Sequence, residues 1–153
     1  MKIKLLTLSI LVILSTNILN AQTTTEEITN EFFKRYEKSP VKAIDYVFGT
    51  NKWMAESKDA GESVTSQLTG FIKLVGDYMG YEKITEKSIG ESYKLVSYLI
   101  KYDRQPIWFT FIFYKPKDKW QIQNFRFDDT DIELEEFANY LECRKSGINY
   151  AKP

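Results

Sequence analysis

The chain contains no histidine, and this absence excludes several kinds of catalytic and metal site. Without an imidazole, neither a Ser-His-Asp triad nor a Cys-His pair can form. Zinc sites that depend on histidine ligands are excluded for the same reason. The sequence therefore indicates no catalytic constellation, no metal centre and no cofactor, and it favours a protein that is not an enzyme.

Cysteine is almost as scarce, because the chain has one, Cys143. A single cysteine cannot close a disulfide within the chain. It lies near the end of a predicted C-terminal helix, where a small, half-buried apolar side chain is expected. A reactive free thiol and an intermolecular disulfide remain as alternatives.

Neither sign of charge is in excess, since 21 basic residues balance 21 acidic ones. Removal of Lys2 and Lys4 with a leader segment would leave 19 basic and 21 acidic residues, a net charge of about minus two. Such a small charge gives little long-range attraction to nucleic acid or to an anionic membrane. We expect neither as a partner.

The longest hydrophobic run occupies residues 5–14, directly after the basic residues Lys2 and Lys4. A basic start, a short apolar run and a small residue at the exit, Ala21, are typical of a secretory signal peptide. The run is too short to span a bilayer, which requires about 20 apolar residues. We therefore predict cleavage after Ala21, a mature start at Gln22, and a periplasmic or secreted protein without a membrane anchor.

Residues 22–153 have the size of a single domain, and their first part is predicted to be helical. Thr24 and Glu27 fit a capping box at the start of a helix over residues 25–37. Ser39 and Pro40 then suit the N-cap and first turn of a second, shorter helix. A third helix is predicted from apolar residues with helical spacing between positions 62 and 79.

After residue 80 the hydrophobic pattern changes to that of strands separated by short polar turns. Four strands are predicted, over residues 81–89, 93–102, 107–114 and 120–127. Thr130 and Glu133 form a second capping box, which predicts a closing helix. Helices followed by an antiparallel meander indicate an α+β fold, with N-terminal helices packed on one face of a curved sheet.

Three leading helices and a meander closed by Trp-Gln-Ile-Gln-Asn-Phe-Arg-Phe at positions 120–127 resemble nuclear transport factor 2-like or cystatin-like domains. The closing helix departs from that pattern. The resemblance implies a cone-like α+β fold with a pocket between the sheet and the helices. It also implies dimerisation through the outer face of the sheet.

The two faces of the sheet can be separated if Tyr102 pairs with Ile107 and Tyr114 with Trp120, because opposite residues share a face. The face predicted to pack on the helices comprises Val96, Tyr98, Ile100, Tyr102, Ile107, Phe109, Phe111, Phe113, Gln121, Gln123, Phe125 and Phe127. The other face comprises Leu95, Ser97, Leu99, Lys101, Trp108, Thr110, Ile112, Tyr114, Trp120, Ile122, Asn124 and Arg126.

This second face is more apolar than contact with water explains. Interfaces are rich in Trp, Tyr and Arg, so the sequence predicts a homodimer or protein contact there. The predicted contact residues are Leu99, Trp108, Tyr114, Trp120, Ile122 and Arg126. Cover by the closing helix and a platform for a ligand remain as alternatives.

A different class of function would use a cavity between sheet and helices, either to bind a small hydrophobic molecule or for chemistry like that of ketosteroid isomerase. Such an enzyme requires a carboxylate with a raised pKa in an apolar pocket and a phenol as oxyanion donor. The candidate phenols are Tyr36, Tyr78 and Tyr98, and the candidate bases are Asp45 and Asp77. Because both acids are expected on solvated helix surfaces, a non-catalytic binding module is the leading interpretation.

Overall fold

The computed structural model describes residues 23–128 and residue 139. The predicted signal peptide, the predicted closing helix and Cys143 lie outside these residues, apart from residue 139. Within the described part, four helices precede four strands, which confirms the predicted α+β class. The helices are α1 (Thr25–Tyr36), α2 (Pro40–Gly49), α3 (Lys52–Glu56) and α4 (Lys58–Val75). Among the described residues, no helix is long and apolar enough to cross a membrane.

The starts of α1 and α2 follow the predicted capping chemistry. The hydroxyl of Thr24 accepts a hydrogen bond from the Glu27 amide at 3.1 Å, and the Glu27 carboxylate accepts one from the Thr24 amide at 2.7 Å. The capping box is thus confirmed. The Ser39 hydroxyl caps α2 by accepting from the Lys42 amide at 3.4 Å.

The third predicted helix ends earlier than its apolar pattern suggests. Gly76 has a φ of +94° and terminates α4 four residues before the predicted end. A Cβ atom at Gly76 would lie 1.6 Å from a carboxylate oxygen of Asp103. That oxygen accepts a hydrogen bond from the Asp77 amide at 2.7 Å. The polar connection before this helix also differs, because it contains the short helix α3.

The strands are β1 (Tyr78–Ile89), β2 (Tyr93–Tyr102), β3 (Ile107–Tyr114) and β4 (Gln121–Asp128). They form one antiparallel sheet in the order β1-β2-β3-β4. Ile107 pairs with Ile100, two residues away from the predicted pairing with Tyr102. The amides of Asp103 and Arg104 donate instead to the carbonyls of Asp77, in the α4–β1 connection, and Val75, at the end of α4, which keeps the end of β2 away from β3. A slip of two residues leaves every side chain of β2 and β3 on its predicted face.

One extra residue in β4 changes the predicted faces at the start of that strand. Ile112 pairs with Asn124, whereas the next residue, Phe113, pairs with Ile122, so Gln123 is the extra residue of a bulge. Ile122 is consequently buried in the core on the helix side, and Trp120 packs against the same core. The predicted placement of both residues on the outer face is therefore wrong.

The helical layer also covers the free edge of β4. The Ile122 amide donates to the Thr50 hydroxyl at 3.1 Å, and the Asn51 side-chain amide donates to the Ile122 carbonyl at 2.9 Å. Asn51 is only 2 % exposed, and its side-chain oxygen caps α3 by accepting from the Trp53 amide at 3.1 Å. Edge strands need such protection because their unpaired backbone groups can recruit other strands.

The core lies between α1 and the sheet and is filled with aromatic rings. The ring of Phe32 lies 5.0 Å from that of Phe111, 5.6 Å from that of Phe125 and 5.9 Å from that of Phe109. The ring of Phe33 stacks on that of Tyr81 at 3.6 Å. Burial of each large side chain stabilises the fold by about 1.5–3 kcal/mol, and aromatic pairs add to this.

Candidate functional site on the outer face of the sheet

The outer face is the side of the sheet opposite the helices, and its register arranges it in rows that cross all four strands. The middle row consists of Thr85, Ser97, Thr110 and Arg126. One neighbouring row consists of Lys87, Leu95, Ile112 and Asn124. The other consists of Glu82, Leu99, Trp108 and Asp128. Apolar pairs on the two central strands therefore flank a polar row.

Burial divides this face into a centre and two ends. The outer centre consists of Leu95 and Ser97, both 0 % exposed, and Ile112, which is 3 % exposed. Leu95 and Ile112 are not part of the core on the helix side. By contrast, Leu99 and Trp108 are half-buried, and Tyr114 is 39 % exposed. The centre of this face is thus buried, whereas apolar and aromatic side chains are partly exposed at its two ends.

The structure brings four of the six predicted contact residues to this face: Leu99, Trp108, Tyr114 and Arg126. The other two, Trp120 and Ile122, belong to the helix side. The ammonium groups of Lys115 and Lys94 lie 5.2 Å and 5.8 Å from the centre of the Trp120 ring. The adjacent polar residues Gln123 and Asn124 interrupt the alternation of β4, and this was the sequence signal for the bulge.

A cluster of tyrosines lies at one end of the core on the helix side. The hydroxyls of Tyr36 and Tyr102 are hydrogen-bonded at 2.5 Å, and the ring of Tyr78 lies 5.7 Å and 5.9 Å from theirs. Burial, more than any neighbouring charge, raises the pKa of all three phenols. The Tyr78 hydroxyl is buried and makes no hydrogen bond within the described part of the chain. These phenols are therefore neutral at physiological pH.

The carboxylates proposed as catalytic bases are not buried. Asp45 is exposed on α2, and Asp77 is exposed in the α4–β1 connection, not on a helix as predicted. Tyr98, the remaining candidate phenol, donates to the Thr29 hydroxyl at 2.9 Å. Within residues 23–128 the buried polar side chains other than tyrosines are Thr25, Thr29, Asn51 and Ser97, none of which is a carboxylate. The described residues thus supply buried phenols without a buried carboxylate.

An open cavity of about 490 Å³ lies among α2, α3 and α4. Apolar side chains of Ile44, Phe48 and Met54 line it together with the polar residues Asp45 and Glu62. Within residues 23–128, no strand residue lines this cavity. It therefore differs in position from the pocket between sheet and helices that the resemblance implies.

Comparisons with protein-family models, with curated proteins and with solved structures gave no match for this chain. The fold class consequently rests on the structure itself. The resemblance to nuclear transport factor 2-like or cystatin-like domains stays a prediction. Within residues 23–128, no three metal-ligating side chains are grouped closely enough to hold a metal ion.

Proposed function

We propose that this chain is an exported, non-catalytic binding module that contacts a second copy of itself through the outer face of its sheet. The observation that carries the proposal is the Leu99/Trp108 pair. These two residues lie directly opposite each other on β2 and β3 and stay half-exposed on the face away from the helices. Tryptophan in such a position is typical of residues that dominate binding energy at protein interfaces.

Charged residues surround the apolar pair. Glu82 lies opposite Leu99 on β1, and the Lys101 ammonium group lies 3.8 Å from its carboxylate. An apolar centre with a charged rim is the usual anatomy of a protein interface. In a two-fold symmetric contact the same patch meets itself, so a patch that carries both an acid and a base can pair across the axis.

The contact can be tested with the double variant Leu99→Glu and Trp108→Glu, which places like charges on both sides of a two-fold axis. We expect the wild type to be dimeric at tens of micromolar and the variant to be a folded monomer, since unpaired charge is costly in an interface. The matched control is Trp53→Glu, because Trp53 is 64 % exposed on α3 and lies off the outer face. Light scattering reports the mass, and circular dichroism reports folding. A monomeric wild type would overturn the proposed contact.

Export is supported by the signal-peptide pattern of residues 1–21. We expect protein isolated from a bacterial host's periplasm or medium to begin at Gln22 or within a few residues of it. N-terminal sequencing measures this directly. Recovery from the cytosol with Met1 intact would contradict export.

A second candidate function is binding of a small hydrophobic molecule, and the helical cavity favours it. Ligand sites commonly measure about 300–1,000 Å³ and combine an apolar floor with a few polar groups. A thermal-shift screen with apolar metabolites would detect such binding, because a ligand of the native state raises the melting temperature. Ser66→Trp at the cavity wall should abolish the shift, whereas Ser63→Trp, on the same helix but outside the lining, should not.

A further inference from the structure

We infer that the chain's own C-terminal segment, residues 129–145, packs as an amphipathic helix across the outer centre. This inference concerns Leu95, Ser97 and Ile112, and it is independent of the proposed contact at the Leu99/Trp108 pair. It predicts that the outer centre is closed within one copy of the chain. A second copy would then have only the ends of the face to contact.

The first argument is that the outer centre requires an apolar cover. Leu95 and Ile112 lie opposite each other and are buried, yet the helices α1 to α4 pack on the other side of the sheet. Ser97, beside them, is also fully buried. A sheet face that meets only water alternates to polar residues, which this centre does not.

The second argument is the position at which the described chain ends. Asp128 is the last residue of β4 and lies opposite Trp108, in the row next to the polar row of the outer face. A helix of about 15 residues extends about 22 Å. Four strands spaced by about 4.8 Å measure about 14 Å across. Residues 129–145 can therefore start at the edge strand and cross the whole sheet.

The third argument is the pattern of the segment. After the predicted cap at Thr130, the residues Leu134, Phe137 and Leu141 follow one another at intervals of three and four and so share one side of a helix. Ala138 lies beside them on the same side, whereas Glu136 falls on the opposite side. An apolar stripe of this width can pack over Leu95 and Ile112.

Charge favours the chain's own segment over a second copy. Lys87 and Arg126 stand in the rows that contain the outer centre. The start of the segment is acidic, with carboxylates at Asp129, Asp131, Glu133, Glu135 and Glu136. A second copy centred on these two rows would bring the same basic side chains together, whereas the segment brings the opposite charge.

The test measures access to the outer centre in the full chain. Ser97→Cys, made together with Cys143→Ser, places the single thiol in the outer centre, and its labelling by a maleimide reports exposure. We expect slow labelling that is independent of protein concentration. The added pair Phe137→Glu and Leu141→Lys should speed labelling at least tenfold. Glu136→Lys, on the opposite side of the predicted helix, should leave the rate unchanged.

Two outcomes would overturn the inference: rapid labelling without the helix substitutions, or protection that develops only as the protein concentration rises. The second outcome would identify another copy as the cover. Carbodiimide cross-linking of the unmodified chain gives a measurement that no folding defect can disturb. Mass spectrometry should find a bond within one chain between Lys87 or Lys101 and a carboxylate of residues 129–136. Links between chains alone would contradict the inference.

Discussion

The two faces of the sheet are buried in different ways, although the same strands form both. On the helix side, Phe111 is fully buried and its ring lies 5.0 Å from that of Phe32 and 5.1 Å from that of Phe125. On the outer face, the buried residues of the outer centre lie beside the half-exposed Leu99 and Trp108. Alternation along a strand therefore supplies two apolar faces with different roles, one that stabilises the domain and one suited to contact.

The largest effect should come from the helix side. We expect Phe32→Ala to lower the free energy of unfolding by about 3–5 kcal/mol, because it leaves a cavity among the rings that surround Phe32. Trp108→Ala, at the half-exposed end of the outer face, should cost clearly less in the monomer. Urea denaturation of both variants at low protein concentration measures the difference. Equal losses would refute the division between the two faces.

Much of this contrast could be predicted from local sequence. The bounds of β2 and β3 agree with the predicted strands residue for residue, because alternating β-branched and aromatic residues end at polar turns. The helix side was correctly identified for Phe109, Phe111 and Phe113. These features depend on residues that are close together in the sequence, so local patterns can predict them.

The features that were missed depend on distant residues. The end of α4 is fixed by Gly76 together with Asp103, whose carboxylate holds the following turn. The register of β2 and β3 depends on the same loop, which binds back to the α4–β1 connection. The bulge in β4 moves Ile122 to the helix side, where Thr50 and Asn51 bind its backbone. The adjacent polar residues Gln123 and Asn124 signal the bulge locally, but no local pattern contains the contacts to Thr50, Asn51 and Asp103.

A smaller effect should distinguish the bridge between helices and sheet from ordinary surface positions. Asn51→Ala removes a hydrogen bond to the buried Ile122 carbonyl and the cap of α3, so we expect a loss of about 1–3 kcal/mol. The control is Asn30→Ala on the exposed side of α1, which should change stability by less than about 0.5 kcal/mol. Chemical denaturation measures both. Similar values for the two would mean that the bridge contributes little.

At alkaline pH the tyrosine cluster, which lies on the helix side of the sheet, should make the stability of the fold depend on pH. Burial raises the pKa of Tyr36, Tyr78 and Tyr102 above the ordinary value of 10.0. The folded state therefore retains protons that the unfolded chain releases, so stability is full below pH 10 and falls as the pH rises above it. Each such phenol contributes up to about 1.4 kcal/mol per pH unit to this decline. In Tyr36→Phe the decline should be shallower by about that amount, which unfolding measured between pH 9 and 11.5 would show.

The smallest changes in stability are expected on removal of one buried hydroxyl from each face of the sheet. Among the described residues, the side-chain oxygens of Tyr78 on the helix side and Ser97 on the outer face are buried without a hydrogen-bond partner. A buried polar group without a partner destabilises the native state, so its removal should be neutral or stabilising by up to about 1 kcal/mol. We therefore expect Tyr78→Phe and Ser97→Ala to raise the midpoint of thermal unfolding slightly or leave it unchanged. A clear loss of stability in Ser97→Ala would show that its hydroxyl is hydrogen-bonded in the folded protein. The outer centre would then be closed by a surface that carries a polar group, and a purely apolar cover would be wrong.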